Sequence, residues 1–194
     1  MYVMLDYETL GNGADTIVLS LGAVYFNRDG IHHEKLFHFN LRDQVSNKRT
    51  FTASTLIWWM GQKEGAREVF KKLGDDALTI ENFFLEFETE SELAMKKVNE
   101  TWDQFKPIGN GANFDISILE DIYRRHHGKR DEGIPWKFWN VICYRTFNLL
   151  TDCKKLLARP HGTHHSALDD ARYQANTVLA YWKAQDAKKA ARGK

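Results

Sequence analysis

Tyr2-Val3-Met4-Leu5-Asp6-Tyr7-Glu8-Thr9 decides how the 194-residue chain is read. Residues 2–6 read as a strand that is apolar on both faces, the pattern of a central strand in a sheet covered on both sides. Successive side chains of a strand alternate, so Asp6 and Glu8, two apart, leave the same face. Carboxylates on a central strand are expensive to bury without a partner. Either the strand ends at Asp6 and both acids are solvated, or something positive is brought between them.

Ile17 to Phe26 is a second apolar strand, rich in β-branched and aromatic residues. Asn27-Arg28-Asp29-Gly30 makes a turn, after which Phe37, Phe39 and Leu41 alternate with polar residues as a half-exposed third strand. Three strands with short links predict an antiparallel meander. Helical signals follow. Thr52 or Ser54 caps a helix through Leu56, Trp59 and Met60. Glu64 to Lys72 is a second, short helix, and Thr79 to about Val98 a long one carrying Ile80, Phe83, Phe84 and Phe87. Lys106 to Gly109 is a short strand ending in Gly109-Asn110-Gly111. Asn113 is read as the cap of a helix with Ile116, Leu119, Ile122 and Tyr123 on its buried stripe. Asn140 to Tyr144 is a last strand and Ala167 to about Ala187 the last helix. Strands first antiparallel and then alternating with helices give a mixed α/β sheet. The expected organisation is one domain over residues 1–187, followed by a frayed basic tail, 188–194.

An apolar content of 43% and a net charge of +1 describe an ordinary globular protein. No run of about eighteen apolar residues is present, so no membrane span is expected. The N-terminus lacks a secretory pattern, and Cys143 and Cys153 have no metal-type spacing, which together point to a reducing cytoplasm. A non-specific duplex binder usually carries a strong basic excess. Near-neutral charge is instead compatible with gripping a strand end, where cations bound to acids supply positive charge locally.

Asp115 falls at the start of its helix, where the dipole favours an acid, and that alone explains an aspartate there. Gly109, Gly111 and Ala112 before it keep the approach open, as a backbone near a phosphate needs. Asp170 lies in the first turns of the last helix. Ala167, three residues earlier on the same face, leaves room for metal and substrate. His165 just precedes that helix, with a pKa suited to taking a proton from water near neutrality. The doubled His164-His165 leaves two registers, of which only His165 with Asp170 puts alanine at the intervening small position. A zinc cluster of His161, His164 and His165 lacks a nearby cysteine or glutamate to complete it. If Asp6, Glu8, Asp115 and Asp170 converge, they raise one another's pKa. Hard divalent cations, Mg²⁺ or Mn²⁺, make such a cage tolerable. Two of them can clamp the attacking and leaving oxygens of a phosphodiester, so the acids point to nuclease chemistry. Trp58-Trp59 and Trp136-Lys137-Phe138-Trp139 can stack on the bases of a single strand, although core packing is the commoner use of such residues. Arg124-Arg125-His126-His127 and Lys129-Arg130 read as a solvated helix end.

The set D-x-E (Asp6, Glu8), N-x-D (Asn113, Asp115) and H-x-A-x-x-D (His165, Ala167, Asp170), in this order and spacing, resembles the DEDDh superfamily of 3′→5′ exonucleases. A narrower similarity is to the phage exonuclease A group and the mycobacterial-type 3′ exoribonuclease domains. Phe51 to Trp59 with Gln62 and Ala66-Arg67, Gly109 to Asp115, and Pro135 to Trp139 carry it. The resemblance runs from Tyr2 to about Trp182. It implies a ribonuclease-H-like fold, with five strands in the order 3-2-1-4-5, strand 2 antiparallel, and helices on both faces. It implies two divalent ions, Mg²⁺ or Mn²⁺, held by Asp6, Glu8, Asp115 and Asp170, with His165 as general base. Contacts to the terminal nucleotide are implied at Thr9 and Leu10, and Asn113 of the second motif joins them as a substrate-binding candidate. The expected partners are single-stranded DNA or RNA 3′ ends, the product a nucleoside 5′-monophosphate, and the setting a bacterial or phage-infected cytoplasm. A homodimer is compatible with such relatives. The competing reading is a silent nucleic-acid-binding or scaffold domain of the same fold.

Overall fold

In the computed structural model, which describes residues 1–127, 133–158 and 166–192, five strands form one sheet in the order β3-β2-β1-β4-β5. β1 (Tyr2–Thr9) lies at its centre, antiparallel to β2 (Val18–Asn27) and parallel to β4 (Lys106–Gly109). β3 (Gly30–His38) continues the meander, and β5 (Ile142–Cys143) adds a short parallel edge. The expected sheet is therefore the one observed. The direction of connection reverses on either side of β1, and in open α/β sheets the crevice at the carboxyl ends of strands beside such a switch is where ligands bind.

The alternation of β1 divides the core. Val3, Leu5 and Tyr7 face a cluster built with α4 (Ile80–Lys97) and α5 (Ala112–His127), including Phe83, Phe87, Ile116, Leu119 and Ile122. Met4 faces the opposite side, where Val24, Phe26, Tyr144, Ala171 and Ala175 pack beneath α7 (Ala167–Arg192). Asp6 and Glu8 follow Met4 in phase, so they fall on the α7 side. A third cluster, Leu10, Ile17, Leu19, Trp59 and Leu73, seats α2 (Ala53–Met60) beside the end of β1.

Several boundaries differ from the sequence reading. Leu41 opens α1 (Leu41–Ser46) instead of ending β3, because the Asn40 side chain accepts the Asp43 N–H at 3.0 Å and turns the backbone into a helix. The segment Glu64 to Lys72 splits into α3 (Glu64–Arg67) and a 3₁₀ turn (Glu68–Lys72). α5 begins at Ala112, so Asn113 sits inside its first turn and is not its cap. The expected last strand shrinks to two residues, between a 3₁₀ turn (Phe138–Asn140) and α6 (Tyr144–Thr151). α7 continues to Arg192, so residues 188–192 are exposed helix and not a frayed tail. α4 opens where the sequence reading began it: the Thr79 hydroxyl caps it, accepting the Asn82 N–H at 3.1 Å. Among the described residues no helix is long and apolar enough to cross a membrane.

Candidate active site

The acids converge at the carboxyl end of β1. Asp6, Glu8 and Asp170 each offer a carboxylate oxygen, and these atoms all lie within 4.8 Å of one another. Two small residues make that approach possible. Gly22 pairs with Asp6 across the β1–β2 ladder, and a Cβ there would stand 2.3 Å from the Ala167 carbonyl oxygen at the start of α7. Ala167, Ala171 and Ala175 are likewise fully packed on the sheet side of the helix. The helix thus sits close enough for Asp170 to reach the strand. Asp169, the alternative partner in the doubled-histidine register, instead meets the Arg172 guanidinium at 2.6 Å.

Asp115 approaches from the other side of β1. β4 stops at Gly109, opposite Leu5, so the backbone beyond has no strand partner on that side, and the Tyr7 N–H donates to the Asp115 carboxylate. The N–H groups of Asn110 and of Asp115 itself donate to it as well. A Cβ at Gly109 would lie 2.7 Å from the Asp115 Cβ. The glycine expected to admit a phosphate therefore admits this carboxyl. Asp115 lies outside the group of three whose oxygens share the 4.8 Å neighbourhood, yet its charge is felt by both Asp6 and Glu8.

Electrostatics favour an incoming cation. Burial, then the charges of Asp115, Asp170 and Glu8, hold the Asp6 carboxyl well above the ordinary carboxylate range, against one hydrogen bond from Gln174. Burial and the charges of Asp170 and Asp115 push Glu8 to about 8. Burial also lifts Asp115 to about 7, although its three backbone donors and the nearby Arg145 pull the other way. Among the described residues neither Asp6 nor Glu8 has an ion-pair partner. A crowded, all-oxygen donor set fits hard divalent ions.

The remaining candidates divide. The Thr9 hydroxyl donates to the Gly11 carbonyl at 2.8 Å, and the Thr9 carbonyl accepts the indole N–H of Trp59 at 2.8 Å. Leu10, expected to touch a nucleotide, is 6% exposed and packs in the third cluster. Asn113 is exposed, its carboxamide oxygen turned back toward Gly111. His165, with His161 and His164, lies outside the described residues. Beside Glu8 and Thr9 a cleft of about 320 Å³ is completed by Asn12, Thr55 and Trp58. The tryptophan pair splits as helix geometry demands: Trp59 is 1% exposed, whereas Trp58 is 45% exposed and lines the cleft. Trp136 is core, and the exposed Phe138 and Trp139 lie toward the opposite ends of β4 and β5, where Asn140 binds the Phe105 carbonyl. Gly22, Gln174 and Arg145 were not singled out from sequence. A lone glycine within the apolar run from Ile17 to Phe26 was the available signal for a close backbone approach.

Comparison with solved structures places the fold among nucleases. The nuclease domain of 3′hExo, described as a DEDDh family member bound to rAMP, superposes with a TM-score of 0.56 at 12% identity, covering 94% of this chain and 92% of that one. Exonuclease I of E. coli, in complex with a 5cy-dT13 oligonucleotide, gives a TM-score of 0.61 at 13% identity over 95% of this chain and 41% of its own. Family and relatives, together with the acidic set, define a 3′-5′ exonuclease. The chain belongs to the 3′-5′ exoribonuclease Rv2179c-like domain family, whose model matches residues 1–182. It is also 27% identical over 168 residues to an exodeoxyribonuclease of Enterobacteria phage T4, covering 74% of this chain and 68% of the phage protein.

Proposed function

We propose that residues 1–187 act as a single-strand 3′-end trimmer of DNA or RNA in the cytoplasm, releasing nucleoside 5′-monophosphates. The observation that carries this reading is the convergence of Asp6, Glu8 and Asp170 on one point at the end of β1. These three carboxylates, with Asp115 beside them, would hold two Mg²⁺ or Mn²⁺ ions. When bound, such ions supply positive charge to the attacking and leaving oxygens of the phosphodiester. His165 accepts the proton of the attacking water. The cleft beside Glu8 receives the terminal nucleoside: Trp58 offers a face for the base, and Asn12 and Thr55 offer polar groups to the sugar. Thr9 lines the same cleft, and Asn113 stands at the exposed start of α5, where an approaching strand passes. The weak net charge favours engagement of an end over a long duplex track.

The direct test digests 5′-labelled single-stranded DNA and RNA of equal length side by side with Mn²⁺. The expected result is a descending ladder of labelled products with mononucleotide release, and the faster polymer identifies the preferred sugar. Absence of shortening on both polymers would leave a silent binding domain. Cutting of a circular single strand would make the protein an endonuclease.

A further inference from the structure

One buried polar side chain at the cluster is not accounted for by the carboxylates themselves. Gln174 lies on α7 one turn beyond Asp170, on the same helical face. It is 5% exposed, and its Nε2 donates to Asp6 Oδ1 at 2.8 Å. Once Asp6 is ionised, as a metal ligand must be, its carboxylate can only accept, so the amide nitrogen is the end that then faces it. The other end of the same amide, Oε1, is buried with no hydrogen-bond partner among the described residues. A desolvated, unmatched acceptor disfavours folding. An unbranched apolar side chain such as methionine would fill the space without that penalty, so stability alone does not explain a glutamine here.

The type of donor matters as well. A lysine or arginine at 174 would neutralise the acids from within and compete with an incoming cation. A carboxamide fixes the Asp6 carboxyl in the plane of its hydrogen bond while adding no charge. We propose that Gln174 is a positioning residue for the metal site: it orients Asp6 for divalent ions while adding no positive charge of its own. The proposal rests on the reading of Asp6, Glu8 and Asp170 as the metal-holding set, and its test separates the two.

Mn²⁺ binding to the full chain is measured by calorimetry near neutral pH for the parent, Gln174→Met and Asp6→Asn. Thermal melting in chelator and 3′-end trimming at rising Mn²⁺ are followed in parallel. Gln174→Met should weaken Mn²⁺ binding by about 10- to 100-fold, the range typical of groups that orient metal ligands. Its melting temperature in chelator should hold or rise, and excess Mn²⁺ should restore trimming. A Mn²⁺ affinity equal to the parent's, with Asp6→Asn unable to bind, would overturn the role of Gln174 and leave the metal site standing. Parental binding in Asp6→Asn would overturn the site itself. If Gln174→Met fails to fold, Gln174→Asn, which keeps the amide but shortens its reach by one methylene, takes its place under the same criteria.

Discussion

Asp169 closes an ion pair with Arg172, and the same guanidinium forks onto Glu34 of β3 at 2.8–3.0 Å, whereas its neighbour Asp170 carries a carboxylate to Asp6 and Glu8. One helical step separates an acid matched by the chain's own cation from an acid added to others. A third site repeats the matched pattern: Glu90 receives Lys35 and His33, and these partners hold its carboxyl below its usual value despite partial burial. Where acids serve folding, the sequence supplies cations. Around Asp6 and Glu8 the described residues supply burial, a neutral amide and further acids, a charge that Arg145 beside Asp115 offsets only in part and that a divalent ion would relieve.

Asp170→Ala should separate the two regions most sharply from Asp169→Ala. The first should lower the rate of 3′-end shortening by about 10²–10³ or more, the scale of losing one preorganised electrostatic group. The second should leave that rate near the parental level, and equal losses in single-turnover assays would erase the distinction. The next effect is on pH. Glu8 at about 8 and Asp115 at about 7 carry protons that an ion must displace. Mn²⁺ binding should therefore tighten as pH rises through these values, by up to about tenfold per pH unit for each proton released. Because these pKa values are raised in the fold, the metal-free protein binds more protons than the unfolded chain between ordinary carboxylate pH and about pH 8. Its stability from these groups should fall as pH climbs through that window. Saturating Mn²⁺ should reverse the trend in thermal melts, and an affinity flat with pH would count against the buried acids as ligands. Arg172→Ala should have the smallest effect. Its side chain is 38% exposed and that of Glu34 27%, so unfolding in urea should show a loss of about 1 kcal/mol or less, with Mn²⁺ affinity unchanged.

The sheet was legible because β1 and β2 are long, strongly patterned and apolar on both faces, and Asp6 and Glu8 declared a shared face through their spacing. The residues that bring α7 to them were less visible. Gly22 reads in sequence as a weak point in a strand, and only the packing reveals that it is a contact. Gln174 looks like any polar residue on a helix until Asp6 is placed opposite. α1 and α6 escaped because each is short and begins where a strand pattern was still running; α6 follows Cys143, which makes no side-chain cap. Asn113 misled because asparagine favours caps, whereas Gly111 had already turned the chain: its carbonyl accepts the N–H groups of Phe114 and Asp115.

The contact at Gly22 makes the seating depth of α7 a matter of clearance set by a single hydrogen atom. A methyl group there would act as a shim between strand and helix, lifting Asp170 and Gln174 together away from Asp6. Descendants of this sequence are free to repaint the outer surface of α7, but position 22 is the gauge against which the helix is fitted. Drift there would detune the enzyme without altering any residue that handles the strand.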